Sequence, residues 1–445
     1  MNNVRCFIAF RVFFNCRFYY PVFTVLFLDF GLSMAQFSLL NAVWAATIVM
    51  AEVPSGALAD IVGRRWLLIF AALSMVAEMA ILCLAPRGNL SLLFLFFLVN
   101  RVLSGLAEAA ASGADEAIAY DALQDAGMAG QWGRVLDRQM RLRSAMFILT
   151  MTVGAAVYDP ALMNRLAGLF GWQAGFTQQE TLRFPLYLTF LMAFVTLGSV
   201  LRMDEVRPEA GGSAVAGRAA HPTVMETLRI TLASGRWILR SPFVLAVILF
   251  GMLFDGILRM VVTLASQYYR VVQLPESTFG ILGSFMAISG IFIPRLSLWL
   301  ADNRSPTFCL WSTAVTALAG LAGMTFFWPV VGLLPALVAF SALYMVGFYV
   351  SYFVNRHASS AQRATVLSFK GLAYNLSYGA VGLVYAGLLE AERAGLDASG
   401  SRRQAVENIV FRGTFAWFPC ALAVGLVVLA VFFARRWRRG MEAAH

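Results

Sequence analysis

One lysine, Lys370, stands in a chain of 445 residues; the other 33 of its 34 basic residues are arginines. Histidine is almost as scarce, at three residues. Charged residues make up only 13% of the chain, against 60% hydrophobic. No soluble domain of this length carries so little charge, and the mean hydropathy of +0.73 puts most of the chain in lipid. The five cysteines (Cys6, Cys16, Cys83, Cys309 and Cys420) are scattered through apolar runs, without metal spacing or evident pairing. They read as small buried hydrophobes, and no cofactor or metal is expected. A phosphate-binding glycine loop, an H-E-x-x-H helix and a nucleophile elbow are all missing, which argues against an ATP-driven pump, a hydrolase or any other enzyme. The net charge of +10 does not point to nucleic acid, because the arginines collect in short loops beside apolar spans.

What is present is a series of apolar runs, each near the ~20 residues a membrane helix needs. They fall at 7–30, 36–58, 66–85, 91–116, 141–159, 183–201, 242–268, 277–299, 307–328, 331–354, 364–389 and 408–434. The chain is thus expected to be an all-α integral membrane protein of twelve transmembrane helices. Its opening residues mimic a signal peptide, but Arg11 and Arg17 interrupt the apolar stretch, so this segment reads as a retained helix. With the N-terminus inside, 21 arginines fall in inner segments and 7 in outer loops. That excess predicts both termini in the cytoplasm. Residues 1–201 and 241–445 form the two halves, joined by 202–240. The Pro208–Pro222 portion of that joint is rich in glycine and alanine and reads as a flexible linker. Residues 223–240 space Val224, Leu228, Leu232 and Ile238 as an amphipathic surface helix would. The larger outer loops, 160–182 and 390–407, carry no legible motif.

The most informative stretch is the loop Gly56-Ala57-Leu58-Ala59-Asp60-Ile61-Val62-Gly63-Arg64-Arg65, set between two apolar runs. Its charges must sit where water or a partner reaches them, and its glycines suit a tight turn and close helix approach. Leu58-Ala59-Asp60 recurs as Leu300-Ala301-Asp302, an offset of 242 residues, and the same offset carries Arg17 onto Arg259. The second copy is eroded, with Ser305 and Pro306 where the first has Gly63 and Arg64. The loop resembles the signature G-x-L-A-D-x-x-G-R-[RK] of the major facilitator superfamily, and the internal repeat resembles that superfamily's two six-helix halves. The resemblance covers nearly the whole chain. It implies pseudo-symmetric halves, a midplane cavity and alternating access.

Charges inside the spans are the candidate sites. Asn100-Arg101-Val102-Leu103-Ser104-Gly105 resembles the superfamily's fourth-helix motif, an arginine followed four residues on by glycine, whose arginine is implied in proton handling. Arg101, Glu108 and Asp115 are spaced by seven and predict a stripe down one helix face. Glu108 could carry a proton beside Arg101 or simply pair with it; Glu52, ahead of Pro54, is a further proton candidate, and Glu78 another. By the resemblance, a cytoplasmic gate comprises Gly56, Asp60, Gly63 and Arg64 with Asp115 or Asp121 as the acidic partner. Arg17 and Arg259, with Tyr20 one turn from Arg17 and Asp255 one turn from Arg259, form a candidate anion site. The alternative is that both arginines snorkel to the inner surface. The fifth run lacks the Gly-x-x-x-Gly-Pro often carried by antiporters of the superfamily; it reads Thr152-Val153-Gly154-Ala155-Ala156-Val157-Tyr158-Asp159-Pro160.

The expected function is secondary active transport of a small organic molecule across a bacterial inner membrane. Proton-coupled export by antiport leads, with a drug, a metabolite or an anion as cargo. Uptake of an anionic nutrient or siderophore is the alternative, as is a transporter-like ligand sensor. The expected partners are substrate, protons and the lipid bilayer, with the protein a monomer.

Overall fold

The computed structural model describes residues 2–112, 114–172, 175–204, 241–357, 360–396 and 403–442. Within them the side chains of residues 53, 57, 60, 61, 129, 287, 288, 291, 355, 357, 360–368 and 435–442 lie outside the description. So do the proposed linker and surface helix within 205–240. Among the described residues the regular structure is all helix, without strands.

The spans follow the sequence order. The first is broken into Asn2–Phe14 and Phe23–Phe30; then come Met34–Val62, Arg64–Cys83, Leu90–Ala111 continued by Ala114–Asp125, Trp132–Tyr158 and Phe184–Leu201. The second half runs through Pro242–Thr263 with Ala265–Val271, Phe279–Asn303, Pro306–Met324, Leu333–His357, Ser360–Ala394, and Arg403–Phe415 with Trp417–Glu442. Ten helices are individually long and apolar enough to cross a bilayer among the described residues. The first span is not among them because it is broken, and the eighth, Phe279–Asn303, contains undescribed side chains. The whole is the twelve-helix, two-half fold expected from the sequence.

By contact the chain resolves into two compact units that do not coincide with its sequence halves. One holds Met1–Leu32, Val43–Arg229 and Pro275–Ser284; the other holds Ser33–Ala42, Ile230–Leu274 and Phe285–His445. The start of the second span thus packs with the second unit, and the start of the eighth with the first. Each start rests on a carboxylate. The Met34 N–H donates to Glu407 at 3.0 Å, and Glu407 is also ion-paired to Arg393. The Ser277 N–H donates to Asp159 at 3.2 Å, and Asp159 also caps the helix Pro160–Leu169. Carboxylates suit helix N-termini, where backbone N–H groups are unpaired and the helix dipole is positive.

In the first unit the core is a seam of small and aromatic side chains. Phe7, Phe10, Leu68, Ala71, Ala72, Met75, Ala107, Ala110 and Ala193 all lie within it. Lipid is as apolar as leucine, so helices in a bilayer associate through close packing, which alanine and glycine permit. Gly105 is such a contact: a β-carbon there would stand 2.8 Å from the Thr47 β-carbon. In the second unit Gly320 abuts the Ala339 backbone nitrogen in the same way. The eroded loop of the second repeat has a structural use, since Ser305 caps the ninth span by accepting from the Phe308 N–H and Pro306 starts it.

Candidate functional site

The first span is expected to be one helix over 7–30, but it opens after Phe14 and resumes as a turn at Tyr20–Val22. Pro21 is the cause that can be read from sequence: it has no N–H to give and biases Tyr20 away from helix. The opened backbone needs new partners. The Phe18 N–H donates to the Thr189 hydroxyl on the sixth span at 3.0 Å. The Phe18 carbonyl lies against Gly154 of the fifth span, where a β-carbon would come within 1.8 Å of its oxygen.

Arg17 sits in this break. It is 3% exposed and ion-paired to Glu78 of the third span, which is fully buried. It does not snorkel; the pair anchors it. The Arg17 guanidinium also lies over the Phe14 ring at 5.5 Å. One Glu78 oxygen, Oε2, has no hydrogen-bond partner. Asn100 donates to the Glu78 backbone carbonyl at 3.1 Å, and its own oxygen accepts two bonds from Arg101, at 3.0 and 2.9 Å. Arg101 is 4% exposed and lies over the rings of Phe23 and Phe27 at 5.3 and 5.5 Å.

The expected pairing of Arg101 with Glu108 is not formed. Among the described residues Arg101 makes no ion pair, and Glu108 is exposed. Nor do Arg101, Glu108 and Asp115 form one stripe, because the helix ends at Ala111 and restarts at Ala114. Glu108 lies instead close enough to Glu52 to repel its charge, and the buried Glu52 Oε2 has no hydrogen-bond partner among the described residues. Tyr20 is near enough to Arg17, Arg101 and Glu108 to sense all three. The first unit therefore gathers two buried arginines with one buried glutamate, and, beside them, two acidic side chains of the second and fourth spans.

The gate residues sort themselves differently from the two options the sequence offers. Arg64 is ion-paired to Asp121. Asp115 is fully buried and belongs to Arg11 of the first span, at 2.6 Å, with Glu116 on the same arginine at 2.8 Å. Gly63 separates the second and third spans with φ of 105°, a conformation side chains rarely adopt. A β-carbon at Gly56 would meet nothing within 4 Å among the described residues. Asp60 lies on the second span, and its side chain is outside the described ones.

The second unit repeats the theme. Arg259 pairs with Asp255 one turn back, donates to Asn375 at 2.9 Å and lies over the Tyr378 ring at 5.0 Å. Lys370 lies over the Tyr374 ring at 5.5 Å and is close enough to Asp255 to interact electrostatically. Gly251 and Gly256 admit Tyr374 and Ser377 against the seventh span. Each unit thus holds two cations and one paired carboxylate at its charged centre. Sequence reasoning took Glu78 apart from Arg17, because nothing local links Arg17 to a residue 61 positions away.

These features define a helical membrane carrier built from two repeats with charged centres. The Major Facilitator Superfamily model matches residues 5–382, and the chain belongs to that family of transporters. No curated protein matches it. Its fold is similar to that of the nucleoside transporter NupG, at 16% identity over 96% of this chain and 98% of that one, with a TM-score of 0.66. It is similar to a bacterial homologue of the human lysosomal transporter Spinster in an inward-facing conformation, at 15% identity over 97% and 95% and a TM-score of 0.70. It is also similar to a D-xylose–proton symporter, at 12% identity over 94% and 96% and a TM-score of 0.60. Identities this low speak for the fold alone.

Proposed function

We propose that this chain moves a small organic anion across a bacterial cytoplasmic membrane by proton-coupled alternating access, in the direction of export. The observation that carries the reading is Arg101, a buried guanidinium that makes no ion pair with a carboxylate among the described residues. An arginine at the centre of a membrane helix costs about 2.5–3.5 kcal/mol on insertion scales. Two aromatic faces and one amide oxygen offset part of that cost, and an anionic cargo would supply the rest. Arg17, Tyr20 and Arg259 are the other proposed substrate contacts, with Asp255 setting the charge of Arg259. Glu52 and Glu108 are the proposed proton carriers, because two carboxylates that repel each other favour sharing a proton. The proposed gate is Arg64–Asp121, with Asp60 and the Gly63 turn beside it. Neither ATP hydrolysis nor other enzyme chemistry is part of this reading.

The test is proton flux in energised inside-out vesicles, followed with an internal pH dye as anions, lipophilic cations and neutral amphiphiles are added in turn. Collapse of the gradient by anions, lost in Arg101→Gln and in the Arg17→Ala, Arg259→Ala double variant, is the expected result. A response to lipophilic cations alone would keep the exporter and remove the arginine site. Silence to every class would favour uptake, with a nutrient or siderophore as cargo, or ligand sensing without flux.

A further inference from the structure

At the end of the first-unit helices away from Asn2, two more arginines make no ion pair among the described residues, with Asp29 close enough to Arg87 to interact electrostatically. Arg87 lies in the turn between the third and fourth spans, and Arg183 starts the sixth. Their guanidinium carbons lie 5.6 and 5.9 Å from the centroid of one shared ring, Phe30. Arg87 donates to Gln179, to the side-chain oxygen at 3.4 Å and the backbone carbonyl at 2.9 Å. Arg183 donates to the Ala85 carbonyl at 2.8 Å, while its buried Nε has no hydrogen-bond partner among the described residues. Neither makes an ion pair among the described residues. Glu180 lines the same cavity, and its Oε2 accepts from the Thr177 N–H and hydroxyl.

These side chains line a cavity of about 480 Å³, completed by Phe176, Phe184 and Tyr187. Tyr187 is an exposed ring near the start of the sixth span. Beside the cavity, the short helix Pro160–Leu169 leads into Leu169, Phe170 and Trp172, all largely exposed, with Trp172 at 71%. Aromatic side chains of this kind sit at the depth of lipid headgroups. A forked guanidinium pair matches phosphate oxygens, and a ring below it matches the start of an acyl chain.

From this arrangement we infer that Arg87 and Arg183 form a binding site for the phosphate of an anionic phospholipid in the leaflet away from the N-terminus. The site is separate from the transport centre and does not depend on what is carried. Free phosphate shares the chemistry but lacks the chain that the exposed rings would hold.

Native mass spectrometry of the full chain, purified with mixed phosphatidylglycerol and phosphatidylethanolamine, tests this. The parent is expected to retain one phosphatidylglycerol. Each of Arg87→Gln and Arg183→Gln is expected to weaken retention roughly fivefold, the effect of one basic residue at an anionic surface. Arg165→Gln, at the same end but outside the cavity, is expected to change nothing. Arg87 is exposed, so Arg87→Gln should fold even if Arg183→Gln does not, and a thermal melt separates the two effects. Retention unchanged in a folded Arg87→Gln would overturn the inference. Displacement of the lipid by millimolar inorganic phosphate would overturn its assignment to a lipid headgroup.

Discussion

Gly154 of the fifth span faces the carbonyl of Phe18 so closely that a methyl group could not stand between them. The neighbouring atom is backbone, which cannot swing aside as a side-chain tip could. Gly154→Ala is therefore expected to push the fifth span off the break in the first, lowering the melting temperature in detergent and reducing transport. Gly56→Ala, where the space is open, should leave both unchanged. Equal effects of the two substitutions would remove the steric account of the break.

Arg17 and Glu78 form a pair out of water, and breaking such a pair costs about 3–5 kcal/mol because the survivor is left charged and buried. Arg17→Met or Glu78→Gln alone should each destabilise strongly. The double variant should recover a large part of the loss, since replacing a buried pair with neutral groups is often close to neutral. Chemical denaturation of all three in one detergent would measure the coupling. Additive losses would mean the two side chains act independently.

The Arg64–Asp121 pair belongs to another regime. Its side chains are 33% and 31% exposed, so water and salt screen it. A pair of this kind is worth about 0–1 kcal/mol, which limits any shift between conformations to roughly fivefold. Asp121→Asn is expected to change accessibility of an engineered reporter cysteine at this face by no more than that, and high salt should imitate it. A shift of a hundredfold would require the gate to draw energy from elsewhere.

Glu52 and Glu108 carry the coupling in the proposed mechanism. Removing both charges with Glu52→Gln and Glu108→Gln should leave substrate exchange across vesicles intact while abolishing accumulation against a gradient. Gradient-driven transport that survives the double substitution would end their role.

Some of these relationships could be read from the chain and others could not. The repeat offset placed Arg17 and Arg259 in corresponding spans, and the four-residue spacing of Asp255 and Arg259 foretold their pair. Helical spacing is local information. The Arg17–Glu78 pair is not, because it depends on how the first span meets the third. Periodicity also suggested a continuous face through Arg101, Glu108 and Asp115, and it missed that the helix ends at Ala111, after which Asp115 pairs with Arg11. The break in the first span had a sequence cue in Pro21. The partner that accommodates it, Gly154, was visible only as one small residue among several. The capped segment around Thr177 and Glu180 also went unread, although a threonine followed three residues later by glutamate is a recognisable helix start.

The carboxylates under the second and eighth spans bear on how the chain could be divided. Met34 is served by Glu407, and Ser277 by Asp159, so each helix start lies in one sequence half and its acidic seat in the other. A cut in the central segment would yield two polypeptides, each missing a seat for one of its own helices. Their co-expression should restore what neither fragment achieves alone, making the repeat a record of duplication without being a point of independent assembly.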